Sequence, residues 1–284
     1  MPTHLVIQSP SLSNEAIEQI AAIACANGVD RLGPTAARLR DVDASPADRD
    51  AMRAHCEAAG VDCAYAPASV RLADCRVLAM DMDSTLINIE CIDEIADIAG
   101  KKAEVSAITE AAMRGEISNF SDSLTRRVAL LRGVPAEALE RVYAERLHLN
   151  PGAEALISAA RAAGIRIMLV SGGFTFFTER LRERLGLDRT HANVLEVENG
   201  LLTGKVVGPI VDADAKASLL QAFADEHNAQ AEQIIAMGDG ANDLKMLAKA
   251  AYSVAYRAKP VVRSQANYAI NVGGLDSVLN WFEG

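Results

Sequence analysis

Short apolar runs alternate with segments of helical spacing through the second half of the chain. The runs at 165–170 and 233–238 are examples, each followed by polar residues and then by a helix-like segment. The earlier run from Val77 to Met80 shows no alternation of apolar and polar residues, which indicates a strand buried on both faces. Strands of this kind belong to parallel sheets covered by helices. The sequence therefore predicts an α/β core built on a doubly wound parallel sheet.

Two smaller units are predicted around this core. Residues 1–70 show a strand-helix-strand-helix-strand pattern, which predicts a small α+β domain with a packing, regulatory or dimerisation role. Residues 71–284 form the larger domain, and within it the segment from about 88 to 150 has helical spacing almost throughout, which predicts an inserted helical cap. The β-rich runs on both sides of Asn199-Gly200 predict a β-hairpin.

The composition argues against several classes of partner. The chain has 284 residues, half of them hydrophobic, and a formal net charge of -10. This charge and the lack of any Lys/Arg run argue against nucleic acid or an anionic membrane as the main partner. No apolar stretch approaches the roughly 20 residues of a spanning helix, and the N-terminus lacks the pattern of a secretory signal, so a cytoplasmic protein is expected. The five scattered cysteines are expected to be reduced.

Polar residues directly follow three of the predicted strands. These groups are Asp81 to Thr85, Ser171 to Gly173 and Gly238 to Asp243, and Lys216 opens a helix between the second and the third. Because ligands of open α/β sheets bind beyond the carboxyl ends of the strands, we expect the groups to meet in one site. Each group alone is more commonly a turn or a helix cap. All four in this order are specific for a functional site.

The residue types indicate phosphate chemistry with a metal ion. Asp81 and Asp83, joined by Asp239 from a neighbouring strand, form an all-oxygen ligand set that suits Mg²⁺. Calcium is disfavoured because neither acidic segment matches a calcium-binding loop. A phosphate dianion beside these carboxylates needs a cation and hydrogen-bond donors, which Lys216, Ser171 and the glycine-rich backbone can provide. A carboxylate can also act as a covalent nucleophile and form an acyl phosphate.

The four motifs resemble those of the haloacid dehalogenase superfamily across residues 75–284. DMDST is similar to its first motif, LVSGGF to its second, Lys216 to its third and GDGANDLKML to its fourth. Within the superfamily, DMDSTLINIECIDEIA and FSDSLTRRVALL resemble the phosphoserine phosphatases. The N-terminal unit resembles the small ACT-like domains that some members carry, a much less specific likeness.

The resemblance implies hydrolysis of O-phospho-L-serine, the last step of serine biosynthesis, with Mg²⁺ as cofactor. It implies that Asp81 is the nucleophile and that Asp83 is the proton donor that later activates water. The metal ligands implied are Asp81, Asp83 through its backbone carbonyl, and Asp239, with Asp243 as a supporting carboxylate. The substrate-binding residues implied are Ser171, Gly172 and Lys216 for the phosphoryl oxygens, Asn242 for orientation, Glu90 for the ammonium group, Arg127 for the carboxylate and Phe120 as a cover.

Two alternatives remain open from the sequence. The same chemistry could act on another small phosphomonoester or transfer the phosphoryl group to an acceptor other than water. A non-catalytic amino-acid-binding regulator is the alternative from a different class, and the intact set of Asp81, Asp83, Lys216 and Asp239 counts against it. Whether the chain forms a homodimer is also open.

Overall fold

The computed structural model describes residues 3–42, 45–113, 116–117 and 119–283. It contains two β-sheets, one of four strands near the N-terminus and one of seven strands in the remainder of the chain. The predicted end of one inserted helix, at Arg114 and Gly115, lies outside the described residues.

The N-terminal sheet is antiparallel and carries two helices. Its elements are β1 (Thr3–Gln8), α1 (Asn14–Ile23), β2 (Gly28–Arg31), β3 (Ala36–Arg40), α2 (Pro46–Ala58) and β4 (Asp62–Pro67), and the strand order is β2-β3-β1-β4. The strand-helix-strand-helix-strand prediction for this segment was therefore incomplete. It lacked β2, a short and partly exposed edge strand without a hydrophobic run that could reveal it.

The seven-stranded sheet confirms the predicted doubly wound α/β architecture. Its strands are β5 (Val77–Met80), β6 (Arg166–Phe174), β7 (Arg189–Glu198), β8 (Leu201–Val207), β9 (Ile234–Gly238), β10 (Tyr252–Tyr256) and β11 (Tyr268–Ile270), in the order β11-β10-β9-β5-β6-β7-β8. All neighbouring strands are parallel except β7 and β8, which form the predicted hairpin. The chain runs outward from β5 to one edge and later from β9 to the other, so the direction of winding changes beside β5.

Helices cover both faces of this sheet, and a group of four is inserted between β5 and the helix that leads into β6. The inserted helices are α3 (Cys91–Ile98), α4 (Lys102–Met113), α5 (Phe120–Leu130) and α6 (Glu137–Glu145). The others are α7 (Ala153–Ala162), α8 (Thr175–Leu185), α9 (Ala213–Glu226), α10 (Leu244–Leu247) and α11 (Pro260–Arg263). Within the part of the chain that the structure describes, no helix has the length and apolar character needed to cross a membrane.

The central strand β5 is buried on both faces, as its uninterrupted apolar run predicts. Leu78 and Met80 belong to the hydrophobic cluster on one face of the sheet, whereas Val77 and Ala79 belong to the cluster on the other. This division follows from the twofold alternation of side chains along a strand. Burying a Leu or Met side chain stabilises the fold by about 1.5–3 kcal/mol, so this strand is a rigid base for the residues that follow it.

Candidate active site

The carboxyl ends of three adjacent strands bring the predicted residues together. Strand β5 lies between β9 and β6, so Asp81, Asp239 and Ser171 emerge at the same edge of the sheet. The backbone N–H of Asp81 donates to the carbonyl oxygen of Met237 at 3.0 Å, which ties the end of β5 to β9. The site therefore lies at the point where the winding of the sheet reverses.

A buried lysine links two aspartates beneath this edge. Lys216, in the first turn of α9, is fully buried, and its Nζ lies 2.8 Å from Asp81 Oδ1 and 2.7 Å from Asp243 Oδ1. Asp243 is fully buried too, and its Oδ2 accepts the backbone N–H of Gly240 at 3.0 Å. Burial alone would lower the pKa of Lys216, but the carboxylates of Asp243 and Asp81 outweigh it and hold this pKa above its usual value. The lysine is therefore a fixed positive charge beside Asp81.

Three carboxylates form an acidic cluster around this lysine. Oxygen atoms of Asp81, Asp239 and Asp243 all lie within 4.8 Å of one another. Burial and the charge of Asp243 raise the pKa of Asp81 well above its usual value and that of Asp239 to about 7, because one lysine does not neutralise three acids. An all-oxygen cluster with excess negative charge suits a hard divalent cation, so the residues fit a metal of that kind.

Glycine is required beside this cluster at the end of β9. A Cβ atom on Gly238 would lie 2.5 Å from the carboxyl carbon of Asp243, far inside normal contact distance. The glycine therefore leaves room for the Asp243 side chain under the strand end. Thr85 adds a hydrogen bond at the same place, since its hydroxyl donates to Asp239 Oδ1 at 3.3 Å.

The side chain of Asp83 is not part of the carboxylate cluster. It is nine per cent exposed, and its Oδ1 is buried without a hydrogen-bond partner among the described residues. Burial and the charge of Glu90 raise its pKa well above the usual value, while the thiol and the backbone N–H of Cys91 oppose this shift. A carboxyl group of raised pKa with one free oxygen at the edge of the site can carry a proton to a bound molecule.

The end of β6 supplies hydroxyl and backbone groups to the site. Ser171 is fully buried, and its Oγ accepts the N–H of Gly173 at 2.8 Å. A Cβ atom on Gly172 would lie 2.6 Å from Cζ of Phe120, so the glycine allows that ring to lie directly over the strand end. Asn193 fixes this segment, because its Nδ2 donates to the Gly172 carbonyl at 2.8 Å and its Oδ1 accepts the Val211 N–H at 2.8 Å.

A cleft of about 850 Å³ opens between these strand ends and the inserted helices. The predicted residues that line it are Asp81, Asp83, Glu90, Phe120, Arg127, Ser171, Gly172, Asp239 and Asn242. Lys216 does not line this cleft, and it lies beneath the floor with Asp243. Three further residues of the site were not predicted from the sequence, namely Asp93, Asn193 and Lys259, and of these Asp93 and Lys259 line the cleft. No motif marks them, because each lies within ordinary helical, strand or loop sequence.

The inserted helices bring opposite charges to the far side of the cleft. The Glu90 carboxylate is exposed to the cleft and accepts a hydrogen bond from Ser84 at 2.7 Å. Arg127 is partly buried and lines the same space, whereas the neighbouring Arg126 is exposed and pairs with Asp122 at 2.9 Å. A small molecule with a positive and a negative group at one end fits this arrangement.

Comparison with known proteins identifies the family. The model of the haloacid dehalogenase-like hydrolases matches residues 78–248, which is more than half of the chain. The chain belongs to the haloacid dehalogenase-like hydrolases. A second model, for a domain of unknown function named DUF4072, matches residues 5–52.

Relatives of this hydrolase place it with the phosphoserine phosphatases. A phosphoserine phosphatase from a Polaromonas strain is 57% identical over 214 residues, which cover 74% of this chain and 91% of the relative. A haloacid dehalogenase family hydrolase from Salmonella enterica serovar Typhi has a TM-score of 0.91 at 31% identity and matches 99% of this chain and 98% of its own. A solved phospho-aspartyl intermediate analogue of phosphoserine phosphatase has a TM-score of 0.69 at 39% identity, with 74% and 99% covered.

Proposed function

We propose that this hydrolase converts O-phospho-L-serine and water to L-serine and phosphate, the reaction that completes serine biosynthesis. The observation that carries the proposal is the cleft itself. Its floor holds Asp81 beside a buried lysine, and its far side presents Glu90 and Arg127, which match an ammonium and a carboxylate group. The phosphoserine phosphatases related to this chain support the same substrate.

Asp81 is the proposed nucleophile. Its Oδ1 is held by Lys216 and by the backbone N–H of Met82 at 2.7 Å, which fixes the carboxylate at the end of β5. The carboxylate oxygen attacks phosphorus, the bond from phosphorus to the seryl oxygen breaks, and Asp83 gives that oxygen its proton. Asp83 then takes a proton from the water that cleaves the aspartyl phosphate. The solved phospho-aspartyl analogue of a relative supports this covalent route.

Magnesium is the proposed metal ion. Asp81 and Asp239 would hold it together with the backbone carbonyl of Asp83, and Asp243 would add negative charge from below. When bound, it would offset the repulsion between the carboxylates and the phosphoryl oxygens. Ser171 and the backbone N–H groups at the end of β6 would donate to those oxygens, with Lys216 supplying positive charge from beneath and Asn242 orienting the group.

The inserted helices are the proposed cap that selects the substrate. Glu90 would bind its ammonium group, Arg127 its carboxylate through a bidentate contact, and Phe120 would cover it. Residues 1–70 would form a separate ACT-like domain with a regulatory or dimerisation role, and residues 71–284 the catalytic domain with its cap at about 88–150. A homodimer is the oligomeric state that such a domain would favour.

Phosphate release from O-phospho-L-serine, with and without Mg²⁺, tests the proposal. We expect release that depends on Mg²⁺ and exceeds release from phosphothreonine, phosphoethanolamine and an aryl phosphate. If one of these three compounds is hydrolysed faster than phosphoserine, the substrate is a phosphomonoester other than phosphoserine. Phosphoryl transfer to an added alcohol in place of phosphate release would identify a phosphotransferase, and no turnover of any phosphomonoester with Mg²⁺ would contradict the proposal as a whole.

A further inference from the structure

Asp93 is an acidic residue of the cleft for which the proposed mechanism has no role. It lies in the first turn of α3, directly after Glu90, Cys91 and Ile92, and it lines the cleft between the strand ends and the inserted helices. Its Oδ1 is closed to solvent and has no hydrogen-bond partner among the described residues. A buried carboxylate oxygen without a partner is costly, so its presence at this position calls for an explanation.

Arg127 faces the same part of the cleft from α5. Its Nε donates to the carbonyl oxygen of Ser123 at 3.4 Å, a long hydrogen bond that leaves most of the guanidinium donors for other partners. Among the described residues, no carboxylate oxygen lies within 4.0 Å of the Arg127 guanidinium, so Arg127 forms no ion pair with them. Burial lowers the pKa of Arg127, and Asp93 opposes this shift more strongly than Glu90 or Asp83 does.

The neighbouring carboxylates are engaged elsewhere. Glu90 accepts a hydrogen bond from Ser84, and Asp83 faces Cys91 and the reacting end of the cleft. Asp93 has no such partner, and among the charges that lower its raised pKa Arg127 comes first, ahead of Lys102. Because Oδ1 is closed to solvent, a substrate ammonium group could not reach this atom, whereas the guanidinium packed on the adjacent helix could turn toward it.

We propose that Asp93 is a positioning residue whose carboxylate holds one edge of the Arg127 guanidinium, so that its other edge receives the substrate carboxylate. Arginine can serve two carboxylates at once, because its five N–H donors point outward along separate edges of a plane. Asp93 would then act on specificity without touching the substrate. The inference rests on the proposed function, since it assigns Arg127 a carboxylate-bearing substrate.

The test compares Asp93→Asn with the unmodified enzyme on three phosphomonoesters. Phosphoserine carries both a carboxylate and an ammonium group, phosphoethanolamine carries the ammonium group alone, and p-nitrophenyl phosphate carries neither. We expect kcat/KM on phosphoserine to fall about tenfold or more, chiefly through KM, because a misdirected guanidinium loses its charge-assisted contact. For phosphoethanolamine and p-nitrophenyl phosphate, kcat/KM should change by less than about twofold, as should the inhibition constant of either compound that acts only as a competitive inhibitor.

A double-mutant cycle with Arg127→Ala makes the test specific. If Asp93 acts through Arg127, Asp93→Asn should cause no further loss once Arg127 is removed. Asp97→Asn is the matched control, since Asp97 lies one turn further along α3 and pairs with Arg146 at 2.6 Å instead of lining the cleft. This control variant should leave kcat/KM unchanged on all three phosphomonoesters. If Asp93→Asn fails to fold, Asp93→Ser carries the same comparison.

Several outcomes would overturn the inference. An equal loss on phosphoethanolamine would assign Asp93 to the substrate ammonium, and an equal loss on p-nitrophenyl phosphate would make it a purely structural residue. Losses that add in the double variant would show that Asp93 and Arg127 act independently. Failure of the proposed function has a different signature, because the unmodified enzyme would then hydrolyse p-nitrophenyl phosphate without any preference for phosphoserine.

Discussion

At the scale of single residues, the buried lysine holds Asp81, the proposed nucleophile, in a fixed position. Removing one partner of a buried ion pair commonly destabilises a protein by about 3–5 kcal/mol, because the remaining charge is left without compensation. Here Lys216 has two partners, Asp81 and Asp243, at 2.8 and 2.7 Å. Loss of one therefore leaves the lysine paired with the other.

Asp81→Asn should abolish turnover while the protein stays folded. The amide is the same size as the carboxylate and its oxygen can still accept a hydrogen bond from Lys216, but it cannot attack phosphorus. Phosphate release and thermal unfolding, measured on the same preparation, check both parts. Turnover near the unmodified level would contradict the covalent mechanism.

Arg127→Ala should reduce kcat/KM on phosphoserine by roughly thirtyfold to a thousandfold, which corresponds to about 2–4 kcal/mol for a charge-assisted bidentate contact. Slow hydrolysis of an aryl phosphate should change much less, because that molecule has no carboxylate. Arg126→Ala is the matched control, since Arg126 is exposed and pairs with Asp122. Equal losses on both substrates would mean that Arg127 supports the fold instead of the substrate.

The site residues could be predicted where a strand pattern fixes their position. Asp81, Ser171 and Asp239 directly follow apolar runs, and adjacent parallel strands must bring such residues to one edge. Asp93 and Lys259 could not be found this way, because their place in the cleft depends on how the inserted helices and a late loop pack. The burial of Lys216 beneath the floor is likewise a property of packing, and a lone lysine in a sequence usually indicates exposed surface.

At the scale of elements, the long buried strands and the hairpin were predictable, whereas the short edge strands were not. Asn199 and Gly200 both adopt positive φ, at 52° and 77°, which is the backbone geometry that the Asn-Gly pair predicts for a two-residue hairpin turn. Strand β2 at one edge and strand β11 at another contain four and three residues. A pattern of that length cannot be separated from a loop.

Gly238→Ala should damage the acidic cluster from within β9. The added methyl group would displace the Asp243 carboxylate, and such overpacking costs about 1–3 kcal/mol of stability in addition to the loss of activity. Gly28→Ala in β2 is the control, since its Cβ would meet only the flexible end of Arg40. The unfolding temperature and the rate of phosphate release should both fall in Gly238→Ala. Neither should fall in Gly28→Ala. Unchanged activity of Gly238→Ala would show that Asp243 is not needed where it lies.

At the scale of the whole molecule, the N-terminal sheet packs tightly against the catalytic core. Val6, Ala64 and Ala66 belong to the same hydrophobic cluster as the core strands. Asp62 is buried and accepts backbone hydrogen bonds from Asn271, Val272 and Gly273, with the shortest at 2.7 Å. Among the described residues, none that lines the cleft comes from this sheet.

A truncated chain that begins at Ala68 should therefore keep the catalytic residues but lose stability. We expect phosphate release from the folded fraction, a lower unfolding temperature and reduced solubility, because removal of the sheet exposes apolar surface of the core. Asp62→Asn tests the same interface by changing one side chain and keeping the whole sheet. It should lower the unfolding temperature and leave kcat unchanged. A folded truncation without any activity would show that the site extends beyond the cleft.

Removal of the proposed metal ion should abolish activity, and Mg²⁺ should restore it. Zn²⁺ should give no comparable rescue, because the cluster offers carboxylate oxygens without the thiolate or imidazole ligands that zinc prefers. Phosphate release after exhaustive chelation, followed by addition of each metal, measures this. Full activity of the chelated protein would contradict the metal assignment.

The covalent aspartyl phosphate is the central claim, and acid quenching during turnover tests it most directly. The enzyme is mixed with phosphoserine labelled in its phosphoryl group, quenched in acid within the first turnover, and digested for peptide mapping. We predict label on the peptide that contains Asp81, removed by hydroxylamine as an acyl phosphate would be and absent from Asp81→Asn. Label on a different residue such as Ser171, or rapid turnover with no labelled protein at any quench time, would contradict the account.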